Sequence, residues 1–252
     1  MIEDIDWDCC VITNYAETNL GVRRRISSGL TWVFEQVEEA IILEDDCLPD
    51  FTFFRFCAEL LERYRDDERL AVISGDNFQG GRKRASYSYY FSRYNHCWGW
   101  ATWQRAWQFY DDTMQTWPEV RDTTWLADIL DNDRAAIRYW MDIFERVYAG
   151  KIDSWAYPWT FSCWTQGGLT ALPNTNLVSN IGFGIEATHT RGRPSKVSLP
   201  VQAMEFPLRH PPVIIRDAVA DQYTQDNHFG TSPSMRARRM LAKALTKLRR
   251  PV

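Results

Sequence analysis

The stretch Ala40-Ile41-Ile42-Leu43-Glu44-Asp45-Asp46 constrains this chain more than any other, because four apolar residues run straight into three carboxylates. A short apolar run of this kind suits a strand buried on both faces of a parallel sheet. In open α/β sheets, ligands sit at the carboxyl ends of the strands, which is where these acids fall. Three adjacent carboxylates repel one another unless a proton or a cation relieves them. A hard divalent ion shared with phosphate oxygens would do so. The plain alternative is a solvated acidic turn.

The flanking elements favour the first reading. Residues 8–12, Asp-Cys-Cys-Val-Ile, read as a short strand. A helix is expected from about 22 to 36, with Ile26, Leu30, Val33 and Val37 on its core face. After the strand at 40–43, a second helix runs from about 50 to 65. Asp50 or Thr52 caps it, and Phe53, Cys57, Leu60, Leu61 and Tyr64 form its apolar stripe. Leu70–Ser74 reads as another buried strand, ending in Gly75-Asp76-Asn77. Strand and helix alternate, which predicts an α/β fold of right-handed βαβ units with a mostly parallel central sheet.

Further along, residues 87–92 read as a strand, and 95–103 as the lead into a helix that continues to about 110. Helices are expected at 122–131, 133–149 and 156–165, and a late strand at 169–173. Residues 176–190 read as a Gly-punctuated loop region, and 191–233 as an irregular, proline-containing tail that wraps the body. No internal repeat or interdomain linker interrupts the chain. The expected organisation is therefore one domain over 1–233, followed by a basic helix over 234–252.

Charge narrows the partners. The net charge is −4, yet residues 235–252 carry seven Lys/Arg and no acid, so the body is more acidic than the total shows. Nucleic acid is an unsuitable partner for such a body. In the final helix, Ala237, Leu241, Ala244 and Leu248 share one face. That face could lie on an anionic membrane surface, which would put the chain at its inner side. A solvated helix packing its leucines on the body is the alternative, and the small apolar face favours it. No run approaches the ~20 apolar residues of a membrane span. The first residues are acidic where a signal peptide would be basic. The six cysteines show no CxxC spacing, and Cys9 and Cys10 read as free buried thiols. A reducing cytoplasm is the expected location.

Asp76 and Asn77, at the end of the strand expected beside 40–43, should line the same crevice as Asp46. His189 lies between two threonines, where a neutral imidazole could complete a metal site, although a lone histidine is more often not a ligand.

Leu43-Glu44-Asp45-Asp46, then Pro49-Asp50-Phe51 and an aromatic-rich helix, resembles the acidic DxD-type motif of GT-A-fold glycosyltransferases. The nearest likeness is to N-acetylglucosaminyltransferase I and related family 2-like bacterial sugar transferases. Asn19-Leu20-Gly21, Arg23 to Arg25 and Ser28-Gly29 resemble the nucleotide-side segment of that family, and Trp98-Gly99-Trp100 extends the likeness. It runs from about residue 9 to 190.

The resemblance implies a Rossmann-like three-layer sandwich and a metal-dependent hexosyltransferase. Such an enzyme moves a sugar from a nucleotide-diphosphate sugar to an acceptor hydroxyl on a glycan or a lipid-linked glycan. It implies that Asp46 holds Mn2+ or Mg2+, with His189 approaching the metal. Glu44 and Asp45 would face the ribose and base, and Asn19, Gly21 and Arg24 the diphosphate. Asp76, Asn77, Trp98, Gly99, Trp100 and Trp155 would shape the sugar and acceptor pocket. Asp153 would be the base of an inverting displacement. Asp153 could equally be a helix cap, and Trp98 and Trp100 could be core residues.

The family also has a strand, a helix and a strand ahead of the counterpart of residue 9, where only eight residues stand here. An N-terminally shortened sheet with an exposed edge or an uncovered apolar face is therefore expected. Two other functions remain open: a nucleotidyl- or phosphotransferase using the same acids, and a non-catalytic carbohydrate-binding protein derived from such a fold. The absence of a P-loop, GxxxxGK[ST], weighs against the first.

Overall fold

The computed structural model describes residues 7–182 and 200–232. In chain order the elements begin with α1 (Gly21–Phe34), β1 (Glu39–Ile42), β2 (Cys47–Pro49), α2 (Phe51–Arg63), β3 (Leu70–Ser74), β4 (Tyr89–Ser92) and β5 (Trp100–Trp103). Four helices follow: α3 (Gln104–Trp107), α4 (Trp117–Val120), α5 (Trp125–Ile129) and α6 (Arg134–Tyr148). The last elements are α7 (Ala156–Thr165), β6 (Leu169–Pro173), β7 (Val178–Asn180) and α8 (Ala218–Asn227). The class is α/β, as expected.

The sheet is not mostly parallel. Its order is β1-β5-β3-β6-β4, and only β3 and β6 run parallel. Strand β5 lies antiparallel between β1 and β3, with Ile42 opposite Trp100 and Ser74 also opposite Trp100. It was expected as the lead into a helix, because four consecutive buried residues carry no alternation to mark a strand. Gly99, at φ 85°, turns the chain into the sheet. Thr102 then donates its hydroxyl to Ala71 O at 2.6 Å, tying β5 to β3.

Both faces of the sheet are covered. On one, Phe53, Phe56, Cys57 and Leu60 of α2 pack with Ile73, Ala101 and Trp103. On the other, Leu30 and Phe34 of α1, Trp140 and Phe144 of α6, and Trp159 of α7 pack with Val72 and Trp100. The α2 stripe is buried throughout as its spacing predicts, and Asp50 caps it by accepting Thr52 N–H at 2.9 Å. In α1 the core face is Leu30 and Phe34. Val37 lies past the helix end and is 43% exposed, because Phe34 takes the position four residues after Leu30.

The strand expected at 8–12 is absent. Those residues have no regular structure, and Cys9 and Cys10 are exposed rather than buried. A short segment without a ladder partner does not hold a strand conformation. What ties this segment down is Arg25, whose guanidinium donates to Asn14 Oδ1 at 3.0 Å and also to Asn14 O. The region after Asn176, expected as loop, contributes β7, which pairs antiparallel with β2 in a small second sheet. The expected irregular tail contains α8, capped by Asp217 and joined to β4 through a bridge between Arg216 and Phe91. Strand β1 is the edge of the larger sheet. Its four residues are half-buried, and among the described residues nothing pairs with its outer side. Among those residues, too, no helix is long and apolar enough to cross a membrane. His189 and the basic helix expected at 234–252 lie outside the described residues.

Candidate functional site

The site opens where β1 and β3 end and β5 begins. After β1, the Glu44 carbonyl accepts Cys47 N–H at 3.1 Å, and this tight turn leaves Asp45 exposed while folding Asp46 back. The small sheet then fixes Asp46: Ile181 N–H donates to its carbonyl at 2.8 Å. The chain returns so closely over Asp46 that a Cβ on Gly182 would stand 2.3 Å from Oδ2. A side chain at Gly182 would therefore displace that carboxylate.

Glu44 is half-buried at the start of the turn. Burial, then the charges of Asp46 and Asp45, push it up from 4.5 to about 7, opposed by a hydrogen bond from the Trp155 side chain. Trp155 is in turn stacked on Trp100 with ring centroids 5.6 Å apart. The α7 end of the chain therefore holds the acid that follows β1.

Asp76 is buried rather than open to a crevice, and it does not follow a strand next to β1, because β5 intervenes. Its lead-in supplies the bridge, since Trp98 N–H donates to Asp76 Oδ2 at 3.0 Å and Gly75 N–H to Gly99 O at 2.8 Å. Asp76 is 1% exposed, and its Oδ1 is buried without a hydrogen-bond partner. Burial pushes its carboxyl well above the usual carboxylate range. The thiols of Cys47 and Cys97 lie near the same acids. Both are pushed up first by burial and then by the neighbouring charges of Glu44 and Asp46, Cys47 to about 12.

A second group forms at the start of α1. Asn19 Oδ1 accepts Gly21 N–H at 2.9 Å, and Asp153 Oδ2 lies 3.3 Å from where a Cβ on Gly21 would stand. Asp153 is exposed and, two residues before the indole that holds Glu44, is not the cap of α7, whose start has no side-chain cap.

Other expected site residues are placed elsewhere. Asn77 is turned inward: its amide donates to Pro173 O at 2.7 Å and its oxygen accepts Gln79 N–H at 2.9 Å. Trp100 is 1% exposed in the core among Trp107, Trp155 and Trp159, so it offers no free ring face. Trp98 is half-buried, with its ring edge-to-face on Phe78 at 5.1 Å. Arg24 is exposed on the outer side of α1, while Arg23 approaches Asp112 at 3.9 Å. Sequence reasoning missed Gly182, Cys47 and Cys97. Cys47 alone carried a signal, as the residue adjoining the acids.

His96 was also missed. It is buried, its Nε2 has no partner, and its ring meets Phe78 edge-to-face at 4.5 Å. Burial, with the His228 ring beside it, keeps the imidazole neutral.

No known family model matches this chain, and no curated protein is similar to it.

Proposed function

We propose that this chain is a metal-dependent glycosyltransferase that takes a sugar from a nucleotide-diphosphate donor. The observation that carries the reading is the burial of Glu44 beside Asp46 and Asp45 at the end of β1, which together push Glu44 up to about 7. Such a site is relieved by a hard cation. The donor set suits Mn2+ or Mg2+, with Asp46, which packs against Gly182, as principal ligand and Glu44 and Asp45 beside it. Among the described residues no group of three His, Cys, Asp or Glu could hold an ion unaided. Hard ions of this size commonly keep waters and substrate oxygens beside one or two carboxylates, so that geometry suits a metal shared with a diphosphate. When bound, the ion neutralises charge on the leaving diphosphate, worth several kcal/mol.

The chain's own residues supply the rest. Asp153, exposed and ionisable beside Gly21, takes the proton from the attacking acceptor hydroxyl. One base and one displacement invert the anomeric carbon. Asp76, buried with its Oδ1 closed to solvent, backs the site from within by accepting the Trp98 N–H. Trp155 fixes Glu44 through its indole, and Asn19 shapes the loop ahead of α1. The donor sugar would then lie at the ends of β1 and β3, beside the β5 lead-in.

Calorimetric titration with UDP, GDP, CDP and dTDP, with and without MnCl2, tests this reading. Mn2+-dependent binding that vanishes in Asp46→Ala is expected, together with turnover of at least one corresponding nucleotide sugar. Binding that ignores both Mn2+ and Asp46 would remove the basis for a metal-diphosphate site.

A further inference from the structure

An open groove of about 940 Å3 runs between the outer side of α1 and the loop at 108–115. It is at the large end of the range for small-molecule sites. Arg24, Ser28, Thr31 and Glu35 recur at helical spacing and form one wall. The opposite wall is the loop from Gln108 to Thr113 with Gln115. We propose that this groove binds the acceptor and that the acceptor is a neutral oligosaccharide. The proposal rests on the glycosyl-transfer reading and names its second substrate.

The chemistry of the walls selects the ligand. Trp32 is half-exposed and Phe109 is 48% exposed, so each leaves apolar ring surface open to the groove. Sugar rings carry apolar C–H faces rimmed by hydroxyls, and they are matched by aromatic rings interspersed with amides and hydroxyls. Gln108, Gln115, Ser28 and Thr31 supply those groups. An acyl chain would leave them unpaired.

Charge excludes an anionic chain. Glu35, Asp111 and Asp112 line the groove against Arg24 alone, since Arg23 is not among the lining residues and already approaches Asp112. Hydrogen bonds from Thr113 and Gln115 hold Asp111 below the usual carboxylate range against the opposing effect of burial, so its charge persists. A polyphosphate or uronate chain would meet net repulsion.

The groove is also rigid and correctly placed. Tyr110 stacks flat on Trp107 at 4.3 Å, and Trp107 Nε1 donates to Thr31 Oγ1 at 3.1 Å, fastening one wall to the other. Little ordering is left for a ligand to impose. Leu20 forms one end of the groove, adjoining Gly21 and therefore Asp153. Tyr110 donates its hydroxyl to Trp155 O at 3.4 Å, which joins the groove floor to the indole holding Glu44. An acceptor lying along α1 would bring its terminal hydroxyl to Asp153.

The test is titration of the full chain, followed by calorimetry and tryptophan fluorescence. The probes are hexasaccharides of β-1,4-linked N-acetylglucosamine, β-1,4-linked glucose and α-1,4-linked glucose, with hexagalacturonate as the anionic counterpart. At least one neutral hexasaccharide binds, Phe109→Ala and Trp32→Ala each weaken it tenfold or more, and hexagalacturonate does not bind. Asp46→Ala leaves saccharide affinity unchanged. Circular dichroism establishes that both aromatic variants fold. Failure of all three neutral probes, preference for hexagalacturonate, or unchanged affinity in both folded aromatic variants overturns the proposal. Saccharide binding that depends on Phe109, in a chain that binds no nucleoside diphosphate with Mn2+, would keep the groove and sink the transfer reading instead.

Discussion

Asp153 and Gly21 meet at the start of α1: the Asp153 Oδ2 atom lies 3.3 Å from the position a Cβ on Gly21 would take. Gly21 also holds φ 75°, a conformation that costs an L-residue about 1–2 kcal/mol. Gly21→Ala therefore lowers the melting temperature and displaces the carboxylate. Asp153→Asn, at an exposed position, changes stability by no more than about 0.5 kcal/mol. Single-turnover transfer separates the two roles. Under the proposed mechanism Asp153→Asn slows it by about 10²–10⁴, whereas an unaltered rate shows that the proton leaves by another route.

The raised acid at Glu44 makes stability depend on pH. Folded Glu44 keeps its proton up to about 7, while unfolded Glu44 releases it near 4.5. Between these values the folded chain binds more protons, so stability falls as pH rises through that window. Buried Asp76, also raised, contributes with the same sign. In EDTA-containing buffer, urea denaturation of Glu44→Gln loses part of this decline and leaves the variant more stable than the parent at pH 8. Parallel curves for the two proteins would mean that Glu44 ionises normally.

Much of this arrangement was legible in the residues, and the parts that were not share a cause. Helix α2 carries a cap and an unbroken apolar stripe, so local periodicity located it. Strands β1, β3 and β6 are short apolar runs bounded by turns, and were placed to within a residue or two. Strand β5 carries no such mark: Trp100 to Trp103 are buried on both faces, and only pairing with β1 and β3 distinguishes them from the start of a helix. Missing that strand made the sheet look parallel and made Asp46 and Asp76 look like neighbours. Trp100 was similarly assigned to a sugar pocket, when Trp155 and Trp159 from a distant segment close around it together with the nearby Trp107. Gly182 acquires its meaning only through the pairing of β2 with β7.

Asp221 is 0% exposed between two arginines, with Arg93 Nε at 3.1 Å and Arg216 Nη1 at 3.3 Å, and it accepts the Ser92 hydroxyl at 2.5 Å. This network pins α8 to β4. Removing one partner of a buried pair strands the other charge, so Asp221→Asn costs about 3–5 kcal/mol. Asp131 touches the same two arginines, but its side chain is 45% exposed. Asp131→Asn costs at most about 1 kcal/mol. Equilibrium denaturation of the two variants side by side gives the comparison; similar losses would show that burial does not set the cost here.

Gly75 occupies the narrowest point between the two sheets and α2. A Cβ there would stand 2.4 Å from Val178 Cγ2 and 2.9 Å from the Phe53 ring, both in fully packed surroundings. Its backbone is also engaged on both sides, donating to Gly99 O and accepting Leu177 N–H, each at 2.8 Å. The backbone therefore cannot move aside without loosening the lead-in to Asp76. Gly75→Ala is expected to destabilise by about 1–3 kcal/mol through overpacking. Val178→Ala alone opens a cavity and is destabilising as well. In the double variant the new methyl fills part of that space, so its loss is smaller than the sum of the single losses. A thermal-denaturation cycle measures the coupling, and strict additivity would show that the crowding at Val178 is relieved by other means.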